Sequence, residues 1–227
     1  MSEPTGQAGP SRAPAETLLV LHALRLRNLA EVDAIAARFT LDPARVAACL
    51  DELSRSGWVA HRDGRFSGWR LTSAGRTHGQ ALLAGELDLS GSRDSVEADY
   101  EAFLGLNPEL LAICTDWQVV DTADGPVVND HADPGRDAAV LDRLDRVHEQ
   151  VVPVARSLAG SLWRFRGYTE RLGAAHERVR AGDHEWITAP SIDSYHTVWF
   201  ELHEDLLATL GRERSQERSR EAGETQE

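Results

Sequence analysis

The apolar positions of the chain change period several times, and each change predicts an element. Between Glu16 and Asn28, Leu18, Leu19, Leu21, Leu24 and Leu26 give a first helix. Glu31 to Phe39 places Ile35, Ala36 and Phe39 on one side of a second, and Thr40-Leu41 makes a tight turn. Asp42 then suits an N-cap, and Pro43 the first helical position, where a missing N–H costs nothing. Val46, Leu50 and Leu53 carry a third helix to Ser56, and Gly57 closes it. The period shortens at Trp58-Val59-Ala60, which reads as a strand. Asp63-Gly64 offers a turn and Trp69-Arg70-Leu71 a returning strand. Ser73 to Leu87 is helical again, and Asp88 to Ser92 (DLSGS) has the composition of a hinge.

The second half predicts five amphipathic helices: Ser95 to Gly105, Pro108 to Val120, Asp137 to Gly160, Ser161 to Ala181, and Ser191 to about Arg212. Pro153 should kink the third of these. TADGPVVNDHADPGR, between the second and third, reads as a long loop. The DxDxDG spacing of a calcium loop is absent from it. The expected layout is a disordered tail over 1–15, a first domain with its linking helix over 16–87, a helical bundle over 93–212 and a charged tail over 213–227. The fold class is mainly α.

The order helix, turn, helix, Gly57, strand, hairpin, strand, then LTSAGR (Leu71 to Arg76) resembles the winged helix-turn-helix of MarR- and PadR-type transcription regulators. The likeness lies in Ala36 and Ala37, in LDELSRSGWV and in LTSAGR, and it covers about Leu18 to Gln80. It implies a three-helix head with a small β-wing. In such a head the helix Pro43 to Ser56 enters the major groove of DNA and its early residues reach base edges. Those positions hold Ala44, Arg45, Ala47 and Ala48. Arg45 alone among them can contact guanine with two hydrogen bonds, and the alanines can touch thymine methyls. Arg55 suits a phosphate. Arg62, Arg65 and Arg70 of the wing suit phosphate or the minor groove, and Arg25, Arg27 and Arg38 would add backbone contacts.

Charge supports this division of labour. The chain of 227 residues carries a net charge of −13, which argues against a general nucleic-acid coat. From Glu16 to Gln80, however, nine Arg face seven acids, whereas from Ala81 onward fourteen Arg face twenty-nine acids. Lys is absent from the whole chain, which removes P-loop phosphate chemistry, Schiff-base catalysis and pyridoxal attachment. Cys49 and Cys114 lie in apolar helical patterns without CxxC spacing, so buried, reduced thiols are expected. No secretory h-region or long apolar run appears, and the expected location is the cytoplasm.

In the second half, Trp117, Trp163, Tyr168, Tyr195 and Trp199 are candidates to wall a small-molecule cavity between bundle helices. Arg164 and Arg166 in LWRFRGY are candidate clamps for a carboxylate or phosphate, though two residues apart they cannot share a helical face and at most one points inward. His196 and His203 lie near the apolar stripe of the last helix, where they could line a pocket or join Glu204 or Asp205 on a metal. The plainer alternative is that the aromatics are core and the histidines satisfied core residues. No HExxH or His-x-His spacing exists, so no metal and no cofactor is expected. Nor is any nucleophile–base pair or cofactor motif present, which leaves an enzyme the last of three readings. The first reading is a DNA-binding, ligand-responsive, homodimeric regulator with double-stranded DNA and a small effector as partners, and no membrane. The second is a winged-helix module that docks on a partner enzyme without binding DNA; the alanine-rich helix, with Asp51 and Glu52 further along it, supports that alternative.

Overall fold

The computed structural model describes residues 14–212. Among them it is mainly helical, with eight α-helices and two small antiparallel hairpins. The predicted tails at 1–13 and 213–227 lie outside the described residues. Two compact units emerge. The described part of the first comprises 14–93, Gly160–Arg164 and 204–212; the second comprises Asp94–Ala159 and Phe165–His203.

In the first unit, α1 (Glu16–Arg27), α2 (Val32–Phe39) and α3 (Pro43–Arg55) precede the hairpin β1 (Val59–Arg62) and β2 (Gly68–Leu71), then α4 (Ser73–Ser90). Leu19, Leu21, Leu24, Ile35, Val46, Leu50, Leu53, Val59 and Leu83 share one core. The turn between α2 and α3 works through Thr40, whose backbone is left-handed (φ 54°). This lets Leu41 N–H bond back to Ala36 O at 2.9 Å while the Leu41 side chain packs on the core. Ala30, between α1 and α2, exchanges two backbone hydrogen bonds with Trp69 at 3.0 and 2.9 Å, adding a one-residue third strand to the hairpin.

The LTSAGR run has a physical explanation. Thr72 Oγ1 donates to Gly57 O at 2.7 Å and accepts from Gly75 N–H at 3.0 Å, so one side chain caps α4 and holds it to the end of α3. A Cβ at Gly75 would stand 1.8 Å from Trp58 O. Only glycine permits so close an approach of helix and backbone. Two later segments complete this unit. Leu162 is buried and Trp163 packs on the core cluster, while from α8 (Tyr195–Leu210) Ala208 belongs to that cluster. The layout read from the sequence assigned both segments to the bundle.

The second unit contains most of α5 (Arg93–Gln118), the hairpin β3 (Val119–Thr122) and β4 (Gly125–Val128), most of α6 (Pro134–Ser161), α7 (Tyr168–Arg180) and the first half of α8. Three expectations are corrected here. The two helices read on either side of Pro108 are one 26-residue helix, and Pro108 is exposed on it. The segment read as a loop after Val120 contains a hairpin with Val119 opposite Val128 and Val120 opposite Val127. The single helix read over Ser161 to Ala181 is broken by a 3₁₀ turn at Trp163–Phe165, because Leu162 and Arg164 are drawn into the first unit's interior. α6 itself runs on through Pro153 as one element. α8 begins at Tyr195 because the buried Ser194 hydroxyl accepts from Thr197 N–H at 3.3 Å, an N-cap. Among the described residues no helix is long and apolar enough to cross a membrane.

Candidate functional site

The outward side of α3 is built from its first turn. Asp42 accepts a hydrogen bond from Ala44 N–H at 2.9 Å, and Pro43 occupies the first helical position. With Val46, Leu50 and Leu53 buried, helical geometry turns Ala44, Arg45 and Ala48 to solvent, and Arg55 is exposed in the last turn. The Arg45 side chain is 73% exposed, and its guanidinium lies 2.5 Å from the Glu16 carboxylate at the start of α1. An exposed pair of this kind contributes less than about 1 kcal/mol, so a stronger anion can displace Glu16. Arg62, Arg65 and Arg70 of the hairpin are exposed as well. Their acidic neighbour Asp63 is engaged by His61 at 3.0 Å. Phe66, in the loop between the strands, is 64% exposed, with the Arg65 guanidinium 5.6 Å from its ring centre.

Not every arginine of this unit is available at the surface. Arg38, expected to touch the DNA backbone, is buried: its guanidinium lies over the Phe39 ring and 3.8 Å from Asp205. Arg25 donates to Gln80 at 2.8 Å, and Gln80 in turn donates to Ala208 O near the end of α8 at 2.8 Å. Arg27 is exposed.

Beneath this surface lies a charged cluster that the sequence did not reveal. Asp205 is completely buried. It bonds to Arg164, lies 2.9 Å from His22 Nε2, and faces Arg38. Arg164 also donates from Nε to Glu86 at 2.7 Å and from its other terminal nitrogen to Thr209. Burial pushes the Asp205 carboxyl up, but Arg164, His22 and Arg38 outweigh that and hold it well below the usual carboxylate range. Burial drives His22 below an ordinary histidine, against the opposing pull of Asp205, so the imidazole is neutral at pH 7. Its Nδ1 has no hydrogen-bond partner among the described residues. The expected ligand clamp Arg164 is therefore committed to protein carboxylates, and Trp163 beside it is half-buried against the core of the same unit.

The remaining ligand-wall candidates are in the second unit. Trp199 stacks on Phe103 at 4.5 Å between centroids and donates to Asn107 at 3.0 Å. Tyr195 and Tyr168 are fully buried, and the Tyr168 hydroxyl donates to Glu201 O at 3.2 Å. His203 is buried against Phe103, and His196 is half-buried. Trp117 has His131 and His184 against its ring, at 4.4 and 4.9 Å. The structure thus brings Tyr195, Trp199 and His203 together in a packed interior, and places Trp117 in a separate aromatic cluster. Two further groupings went unread in the sequence. Arg171 binds both oxygens of Asp193 (2.8 and 3.1 Å) and both of Glu201 (2.8 and 2.9 Å). His148 stacks on His176 at 4.1 Å, and His176 bonds Asp145 at 2.7 Å. Burial, with His176 adjacent, lowers the His148 imidazole to about 4. The Cys114 thiol is pushed up by burial to about 12, which leaves it unreactive, and both cysteines are free. Among the described residues no group of three or more His, Cys, Asp or Glu is placed to hold a metal ion.

Comparison with known proteins yields no match: no family model, no curated protein and no solved structure is similar to this chain.

Proposed function

We propose that this protein is a DNA-binding transcription regulator whose first unit is a winged helix-turn-helix. The observation that carries the reading is the outward face of α3 and its hairpin. Arg45, Arg55, Arg62, Arg65 and Arg70 stand exposed there, within the stretch from Glu16 to Gln80 where nine arginines face seven acids. The capped first turn of α3 presents Ala44, Arg45 and Ala48 at the helix end that enters a major groove in such proteins. In this reading a phosphate or a guanine edge replaces Glu16 on Arg45. The homodimer, the small effector sensed by the second unit and the cytoplasmic location rest on the family resemblance. Regulation without catalysis belongs to the same proposal.

A mobility-shift assay with the DNA upstream of the protein's own gene, at two salt concentrations, tests it. Specific retardation that weakens steeply with salt is expected. Arg45→Ala should cost about 1–3 kcal/mol on the specific site alone, and equal loss on random duplex argues against base readout.

One observation favours a second reading. Arg45 is already paired within the unit, and Ala44 and Ala48 give the exposed front of α3 little to hydrogen-bond with. A docking module that binds a partner protein would use such a face. Absence of any duplex retardation at low salt, with stoichiometric co-purification of one protein partner, would favour it.

A further inference from the structure

Among the described residues of the first unit, Phe66 is the exposed aromatic ring, standing 64% open in the loop between β1 and β2. Its surroundings are net cationic. Arg65 precedes it with the guanidinium 5.6 Å from the ring, and Arg62 and Arg70 are exposed on the two strands, against two carboxylates: Asp63, 3.0 Å from His61, and Glu31, which accepts from the Ser67 hydroxyl at 2.6 Å. The loop is slim, because Gly64 carries no side chain and has nothing within 4 Å of where one would be. An apolar plate between guanidinium groups suits a surface that offers both phosphates and stacked rings. The minor groove of duplex DNA is such a surface, and arginines are drawn to its negative potential. Apolar side chains inserted there part a base step and kink the helix, most readily at flexible pyrimidine–purine steps.

We propose that Phe66 is a wedge: the hairpin tip enters the minor groove, Arg62 and Arg65 hold the flanking phosphates, and the Phe66 ring enters a TA or CA step. This rests on the DNA-binding reading above, and it assigns the hairpin a preference for deformable sequence that no base-edge hydrogen bond supplies. A protein hydrophobic pocket is the competing occupant of the same ring. The cationic frame around Phe66 favours the polyanion.

The test uses the full chain and two fluorescent duplexes of equal length, both carrying the same upstream site. One places a TA step with 2-aminopurine beside it where the hairpin falls, and the other a stiff A-tract. The wild-type protein should bind the TA duplex more tightly, by about tenfold, and raise the 2-aminopurine emission as the step unstacks. Phe66→Ala should retain A-tract binding while losing both the preference and the emission change. Phe66→Leu should keep both in part. Because Phe66 is exposed, these variants remain folded. An unchanged preference and emission in Phe66→Ala overturns the wedge and leaves the DNA reading standing. Failure of the wild-type chain to bind either duplex at low salt overturns both.

Discussion

Removing the charge of Asp205 is the sharpest single perturbation the fold offers. Asp205→Asn keeps the shape of the side chain but leaves Arg164 and Arg38, both buried, without the carboxylate they face. At an effective dielectric near 20, one opposite-charge pair at the 3.8 Å separation of Arg38 and Asp205 amounts to about 4 kcal/mol of Coulomb energy. Desolvation of the carboxylate offsets part of the total, and Glu86 still holds Arg164. Breaking a buried pair by deleting one partner costs about 3–5 kcal/mol, and that is the expected loss. It is a large share of a typical domain's stability of about 5–15 kcal/mol. Urea unfolding followed by circular dichroism measures it, with the denaturant slope checked for constancy. The pH dependence adds a second readout. The depressed Asp205 carboxyl stabilises the fold above about pH 3.9, the unfolded value, and that stability disappears as pH falls below it. The lowered His22 acts in the same direction from about pH 6.5 downward, because the unfolded chain takes up the proton first. Asp205→Asn should therefore flatten the stability profile below about pH 4. A loss under about 1 kcal/mol with an unchanged acid limb would refute the idea that this cluster holds Arg164 and the end of α8 in the first unit. Replacing Asp205, Arg164 and Arg38 together by Leu, Met and Leu should recover much of the loss, since apolar substitutes of similar volume need no compensation.

Other outcomes are expected from the same structure. Gly75→Ala, a change that normally favours a helix by about 1 kcal/mol, should destabilise by more than about 3 kcal/mol because the new Cβ meets Trp58 O, and thermal melting will show the sign. Arg171→Met should lower the stability of the second unit by about 3 kcal/mol, with Arg171→Lys restoring only part, since an ammonium cannot bind two carboxylates side-on; denaturant melts of all three proteins give the comparison. His148, lowered to about 4, should make the second unit progressively less stable as pH drops from about 6.5 to about 4, and His148→Gln should remove that slope in melts collected across the range. Thr72→Ala, which deletes both the α4 cap and the bond to Gly57, should cost about 1–2 kcal/mol and is measurable by the same melts.

The local architecture of residues 16–87 was legible because its signals are local, whereas α4 runs on to Ser90 through the start of the expected hinge. Asp42-Pro43 sets a helix start through a side chain two residues from the N–H it caps, and Val46, Leu50 and Leu53 mark the buried side by period alone. Gly57 and Gly68 adopt positive φ, at 72° and 142°, where the chain turns out of α3 and into β2. The Val119–Val128 hairpin was legible in the same way, with Asp124-Gly125 between paired valines, but the surrounding Asp, Gly and Pro drew the reading toward a loop. The exposed arginines of α3 and the hairpin could be written down residue by residue; Arg38 of α2 could not, because its side chain turns inward to Asp205.

Local signals were enough for the elements of residues 16–87 and for the buried sides of most later helices, since helix period, caps and turn residues act within a few positions; they failed at Pro108, at the Val119–Val128 hairpin and at Trp163–Phe165. Only the tertiary structure decided that Gly160–Arg164 and the chain from Glu204 onward belong with the first unit. It alone also joined Glu86, Arg164 and Asp205 into one buried cluster. The physical reason is that a buried charge is stable only where its partners converge. Asp205 finds His22, Arg38 and Arg164 from three distant parts of the chain, and no spacing rule records such a meeting.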